Sequence, residues 1–154
     1  MKESWFSYGQ PVFAPAAGIV VDAANEVPEN AYQDGKVVYT QNPNELDPIG
    51  LGNHVVINHG DGEFSILLHM KPGSVTVKKG DHVKQGEQVG AIGFSGDTFL
   101  PHLHYMLMNG MDERTSQGLP SYFDEFVRIL GSNRTKVKHG QIDSGDFVES
   151  FTVD

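Results

Sequence analysis

The chain has 154 residues, a formal net charge of −9, 18 glycines and no cysteine. Its length suits one domain with a proper core, and its acidic balance argues against general binding to nucleic acid or to an anionic membrane. Disulfides and thiolate metal sites are excluded, no apolar run is long enough to span a bilayer, and Met1-Lys2-Glu3-Ser4-Trp5 lacks the apolar core of a signal peptide.

Residues 9–21 read as two short strands around a tight corner, punctuated by Pro15 and Gly18 and ending on the β-branched run Ile19-Val20-Val21. Residues 25–51 are polar and rich in Asn, Asp and Pro, with one strand expected at Lys36 to Thr40. A stretch of that length is either a flap beside a site or a solvated insertion. Residues 52–70 then read as a hairpin, two apolar strands joined by His59-Gly60-Asp61-Gly62, with glycine where a positive φ is needed. Within it His54 reads as a surface strand residue and His59 as a turn-bracing hydrogen bonder.

From Gly73 to Gly93 short β-branched pieces alternate with glycine, and Lys79-Gly80-Asp81 and Gln85-Gly86-Glu87 make the corners. Lys78, Lys79, His82 and Lys84 are expected on the solvated face of those corners. The spacing Gly80-x-x-Val83 then Val89-x-x-Ile92 echoes Gly9-x-x-Val12 then Gly18-x-Val20, which predicts two similar β-motifs packed together. A turn-rich loop, Gly93-Phe94-Ser95-Gly96-Asp97-Thr98, leads into a strand that continues through Met108. Beyond Asn109-Gly110 the spacing Phe123, Phe126, Val127, Leu130 predicts a short helix near 120–130, with Pro120 in its first turn and Gly131 as its C-terminal cap. Residues 137–153 alternate enough for one or two edge strands, with His139 in a turn. The expected class is mostly β.

The chemistry concentrates in Pro101-His102-Leu103-His104-Tyr105, together with the His69 of Leu68-His69-Met70. In a strand, side chains alternate faces, so His102 and His104 project from the same face. Imidazole is the commonest metal ligand and titrates near neutrality. A same-face pair is therefore a metal site, an acid–base site, or simply two half-exposed strand histidines.

The order of the blocks resembles the lysostaphin-type zinc endopeptidases that cut peptidoglycan. The blocks are Gly9-Gln10-Pro11-Val12 with Ala14-Pro15-Ala16-Ala17-Gly18-Ile19-Val20, Gly52-Asn53-His54-Val55-Val56-Ile57-Asn58-His59-Gly60 with Leu68-His69-Met70, Lys79-Gly80-Asp81-His82-Val83-Lys84-Gln85-Gly86, Gly93-Phe94-Ser95-Gly96 and Pro101-His102-Leu103-His104-Tyr105. The resemblance implies a compact antiparallel β-sheet core of the barrel-sandwich, duplicated hybrid motif type. It also implies one peptidase-like domain over 1–154, with a core at 9–108 and an extension at 109–154. It makes His104 a Zn²⁺ ligand and His69 and His102 the flanking acid–base and transition-state groups. The implied substrate is a peptidoglycan peptide and the implied location is outside the cytoplasmic membrane.

The family's other two zinc ligands come from an H-x-x-x-D sequence just upstream of the Gly-x-Pro-Val block, and Met1 to Tyr8 contains neither histidine nor aspartate. Either those ligands lie in a longer protein, or this is a metal-free member that kept the groove, or Glu3, His54 or His139 stands in. Two alternatives to an active peptidase follow. One is a non-catalytic groove for peptidoglycan or a protein partner. The other is a histidine phosphocarrier, which shares the Leu-His and Ala-Pro-x-x-Gly features.

Overall fold

The structure, a computed structural model, describes residues 4–40, 51–112 and 115–150. They fall in two compact units, residues 1–118 and 119–154. In the first, strands β1 (Pro11–Phe13), β2 (Gly18–Ala24), β3 (Ala31–Gln33), β4 (Lys36–Val38), β5 (Asn53–Gly60), β6 (Glu63–Met70), β7 (His82–Val83), β8 (Gln88–Ala91) and β9 (His104–Met108) follow one another. The main sheet has the order β7-β2-β5-β6-β9, β1 pairs with β8, and β3 pairs with β4. All of these pairings are antiparallel, so the mostly-β, antiparallel expectation holds.

The two echoing segments pair with each other. Pro11 lies opposite Ala91 in β1–β8, and Gly18 lies opposite Val83 in β2–β7. Their β-branched residues Val12, Val20, Val83 and Val89 meet in one apolar cluster with Val55, Ile57, Leu67 and Met70 from the main sheet. A second cluster, Val56, Ile66, Leu68 and Met108, takes the alternate residues of the same central strands. The long hairpin turns on Asp61-Gly62, with φ of 50° and 81°. Two consecutive positive φ values in a two-residue loop are a type I′ turn, whose twist matches that of paired strands. Asp34-Gly35, at 52° and 76°, repeats the device between β3 and β4. The flap candidate thus contains a small hairpin rather than one strand. Its residues 41–50 lie outside the described residues, as does Glu3.

The second unit corrects one expectation. Residues 123–130 form a strand, not a helix: β10 (Phe123–Leu130) lies between β11 (Asn133–Gly140) and β12 (Phe147–Ser150). The spacing of Phe123, Phe126, Val127 and Leu130 is compatible with either periodicity. What decides is pairing on both sides of β10, which satisfies its backbone groups through non-local partners. Gly131 does adopt a left-handed conformation, at φ 59°, but as the first residue of a two-residue hairpin loop between Leu130 and Asn133.

Asn53 holds the start of β5 to two other segments. It is fully buried, its Oδ1 accepts from the Val27 N–H at 2.8 Å, and its Nδ2 donates to the carbonyls of Val27 at 2.7 Å and Met70 at 3.2 Å. Replacing it by alanine strands those buried partners, so Asn53→Ala is expected to cost about 2–4 kcal/mol in urea denaturation. Asn53→Asp should also destabilise, because a carboxylate cannot donate to either carbonyl. A loss below about 0.5 kcal/mol would show the carboxamide to be dispensable.

Candidate functional site

The site lies where β6 ends beside the start of β9. In β9 and the residue pair before it, Leu103 and Tyr105 pack against the first cluster while Met106 and Met108 belong to the second. His102 and His104 therefore share the second face, as the alternation predicted. Only His104 is in the strand itself; His102 belongs to the incoming loop. Leu68 is the register partner of His104.

His69 reaches that face through an irregularity. Leu67 lies in the first cluster and Ile66 and Leu68 in the second, so strict alternation would send His69 toward the first. Instead the register passes from Val55↔Leu67 to Asn53↔Met70, one more residue on β6 than on β5. His69 has φ 63°, the left-handed region, and Met70 fills the first cluster. A bulge of this kind re-aims one side chain out of the pleat. The left-handed conformation costs a non-glycine residue about 1–2 kcal/mol, so the surroundings must hold it.

Ser95 is what holds it. Its Oγ accepts from the Asn53 N–H at 2.9 Å and donates to the Met70 carbonyl at 2.8 Å, and its own carbonyl accepts from His69 Nδ1–H at 3.0 Å. The Gly93 N–H donates to the His69 carbonyl at 3.0 Å. Ser95 is fully buried, and Gly52 packs so closely on it, at φ 66°, that a Cβ there would come within 2.5 Å. In the sequence residues 93–98 are only turn-rich, and nothing local singles out Ser95.

The bulge brings three imidazoles together. His69, His102 and His104 have ring centroids 5.1, 5.6 and 6.2 Å apart, and one nitrogen of each lies within 4.8 Å of the others. Among the described residues this is the one cluster of such donors able to surround a metal ion. His69 is buried, His102 half-buried and His104 exposed, so the cluster grades from the core to solvent. A carbonyl can only accept a hydrogen bond. The contacts of His69 Nδ1 with the Ser95 carbonyl and of His102 Nδ1 with the Leu100 carbonyl at 3.0 Å thus place each ring proton on Nδ1. Each Nε2 then carries a free lone pair. Burial, reinforced by the charge His102 would carry, lowers the His69 pKa to about 4, so this ring is neutral at pH 7.

The other histidines have partners of their own or lie at the surface. His54 is buried rather than at the surface; Nδ1 donates to the Gly52 carbonyl at 2.9 Å and Nε2 lies 3.2 Å from Asp22 Oδ2. His59 braces its hairpin, bridging the Ala17 carbonyl at 2.8 Å and Ser65 Oγ at 2.7 Å. His82 is exposed in β7. His139 lies in β11 rather than in a turn, with Nδ1 2.6 Å from Asp124 and its ring stacked on Tyr122 at 5.1 Å. His54 does not join the cluster as a substitute ligand.

Comparison with known proteins points the same way. The catalytic domain of the antimicrobial peptidase lysostaphin from Staphylococcus simulans superposes with a TM-score of 0.52 at 27% identity, covering 74% of this chain and 70% of that one. The catalytic domain of the prophage-encoded M23 protein EnpA from Enterococcus faecalis gives 0.51 at 28% identity, covering 73% and 68%. Peptidoglycan DD-endopeptidase ShyA of Vibrio cholerae is 41% identical over 75 residues, which is 49% of this chain and 16% of that protein. This chain thus matches about a sixth of the length of that curated relative. Residues 23–118 match Peptidase family M23, and with the antiparallel core and the convergent histidines in place, the chain belongs to that family, the family of the lysostaphin-type peptidases.

Proposed function

We propose that this chain carries the catalytic core of a zinc-dependent endopeptidase that hydrolyses peptide bonds of peptidoglycan outside the cytoplasmic membrane, active where metal ligands besides His104 are supplied. We place that core at residues 9–108, with 109–154 as an extension. The observation that carries the reading is the convergence of His69, His102 and His104 on one face, with two Nε2 lone pairs freed by carbonyls behind the rings. ShyA is by its name a peptidoglycan DD-endopeptidase and lysostaphin an antimicrobial peptidase, and membership of the family speaks against the phosphocarrier alternative.

The donor set fits zinc chemically, because neutral imidazole is one of its common ligands. We assign one of the three as a ligand and the other two as flanking groups. His104, the exposed member and the register partner of Leu68, would hold the metal from this chain. Zinc when bound supplies Lewis acidity, polarising the scissile carbonyl and acidifying water.

The flanking rings handle the proton. Hydrolysis forms a bond from a water oxygen to the peptide carbon and breaks the C–N bond, so one proton must leave the water and one must reach the departing amine. A neutral Nε2 accepts the first and, as imidazolium, returns it to the nitrogen. His102 suits this transfer, since its half-buried ring can reach both solvent and substrate. The buried His69 disfavours its own imidazolium, so its role is to orient the nucleophilic water through its Nε2 lone pair.

Zinc-loaded protein is expected to release soluble peptides from purified sacculi, and a chelator should stop the release. His102→Ala should lower turnover by about 100-fold or more while retaining zinc, and His104→Ala should lose zinc in metal analysis. Sacculi neither cut nor bound by zinc-loaded wild type would remove the claim that this chain is an enzyme by itself; sacculi bound but uncut would favour the non-catalytic groove.

A second outcome concerns acid stability without metal. The folded pKa of His69 lies below the unfolded value of 6.5, so the unfolded chain takes up a proton that the folded chain refuses. Stability is therefore lost as pH falls from 7 toward 4, with a His69 contribution on the order of 2 kcal/mol by pH 5. Denaturation of the metal-free protein at the two pH values should show a drop that His69→Gln largely removes. An equal drop in both proteins would assign it to other groups.

A further inference from the structure

We propose that Thr98 is a positioning residue for His102, and that Asn30 fixes Thr98 from outside the histidine cluster; the functional part of this rests on the acid–base role given to His102 above. Thr98 is buried, and its hydroxyl donates to the Leu100 carbonyl at 2.8 Å. A hydroxyl has one proton, so with that proton committed, Thr98 Oγ1 can only accept from His102 Nδ1, 3.2 Å away. His102 Nδ1–H is thus shared between two acceptors, Thr98 Oγ1 and the Leu100 carbonyl at 3.0 Å. Both lie behind the ring, opposite Nε2. The Leu100 carbonyl is itself held by the Thr98 hydroxyl, which donates to it and accepts from the Leu100 N–H at 3.4 Å, so losing the hydroxyl removes one acceptor and releases the other.

The loop that carries Thr98 has little regular pairing of its own, yet it is largely buried between Gly93 and Thr98. Its carbonyls need donors, and residues 30–32 supply them. The Asn30 N–H donates to the Phe94 carbonyl at 2.8 Å, and Asn30 Nδ2 donates to the carbonyls of Gly96 at 2.7 Å and Thr98 at 3.4 Å. The Tyr32 hydroxyl donates to the Phe99 carbonyl at 2.5 Å, and its ring stacks on Phe94 at 5.0 Å. From the other side the Ser7 hydroxyl donates to the Pro101 carbonyl at 2.6 Å. Asn30 is itself buried, and its Oδ1 accepts from the Thr40 N–H at 3.3 Å, so the carboxamide ties the β3–β4 hairpin to the loop. The hairpin is therefore the template on which the approach to His102 is set. Neither Asn30 nor Thr98 is assigned any contact with substrate.

The test pairs Thr98→Val, which keeps the shape and loses the hydroxyl, with Thr98→Ser, which keeps the hydroxyl. Long-range ¹H–¹⁵N NMR of the metal-free chain should show His102 as the Nδ1–H tautomer in wild type and Thr98→Ser, and as a tautomer mixture in Thr98→Val and Asn30→Ala. On zinc-loaded protein with a soluble peptidoglycan peptide, Thr98→Val should lower kcat by about 10- to 100-fold with KM within about twofold. Thr98→Ser should recover most of it, with zinc content equal in all. An unchanged His102 tautomer in Thr98→Val overturns the proposal whatever the turnover. A shifted tautomer in a wild-type background that cuts no peptide upholds the positioning and overturns the peptidase reading instead.

Discussion

The site depends on one break in a strand. The inserted residue at the end of β6, with His69 left-handed, turns a side chain that alternation would send into the core toward His104. Without it His69 would compete for the space that Met70 occupies in the first apolar cluster. A strained residue of this sort persists only where neighbours over-determine it. Ser95 does so with three hydrogen bonds, to Asn53, Met70 and His69, all in the buried interior. The same serine that stabilises the bulge sets the tautomer of the ring the bulge displays, so fold and chemistry share one set of interactions.

The cluster is also organised by what lies behind each ring. Imidazole presents a lone pair at one nitrogen only when the other carries the proton, and a backbone carbonyl enforces that choice by having nothing to donate. His69 uses the Ser95 carbonyl; His102 uses the Leu100 carbonyl together with Thr98 Oγ1. Burial then separates the two. The interior keeps His69 neutral, while His102 keeps access to solvent. Two residues of one type on one face acquire different capacities from their depth, the arrangement by which acid–base sites divide labour.

Much of the fold is legible in the sequence. The Asp61-Gly62 corner between apolar runs predicts the central hairpin, and the glycine–valine echo predicts two motifs that do pair, β1 with β8 and β2 with β7. Misreadings came where one pattern satisfies two periods. Phe123, Phe126, Val127 and Leu130 suit a helix, but β11 and β12 pair with that stretch from both sides. His54 looked superficial because its partner, Asp22, is distant in sequence. Asp34-Gly35 is a hairpin signal that the surrounding polar stretch masks.

The sequence by itself determined the mostly-β class, the same-face placement of His102 and His104, and the resemblance, with the antiparallel core it implies, that family membership supports. Those follow from local rules: alternation with period two, glycine where φ must be positive, and ordered motif blocks. Tertiary structure decided that His69 joins the pair, because a bulge re-aims a side chain by changing the register between strands that no local pattern records. It also decided that Ser95, Thr98 and Asn30 stand behind the histidines. Hydrogen bonds spanning tens of residues, such as Asn30 to Gly96, exist only once a buried loop's carbonyls need donors and the chain returns to provide them.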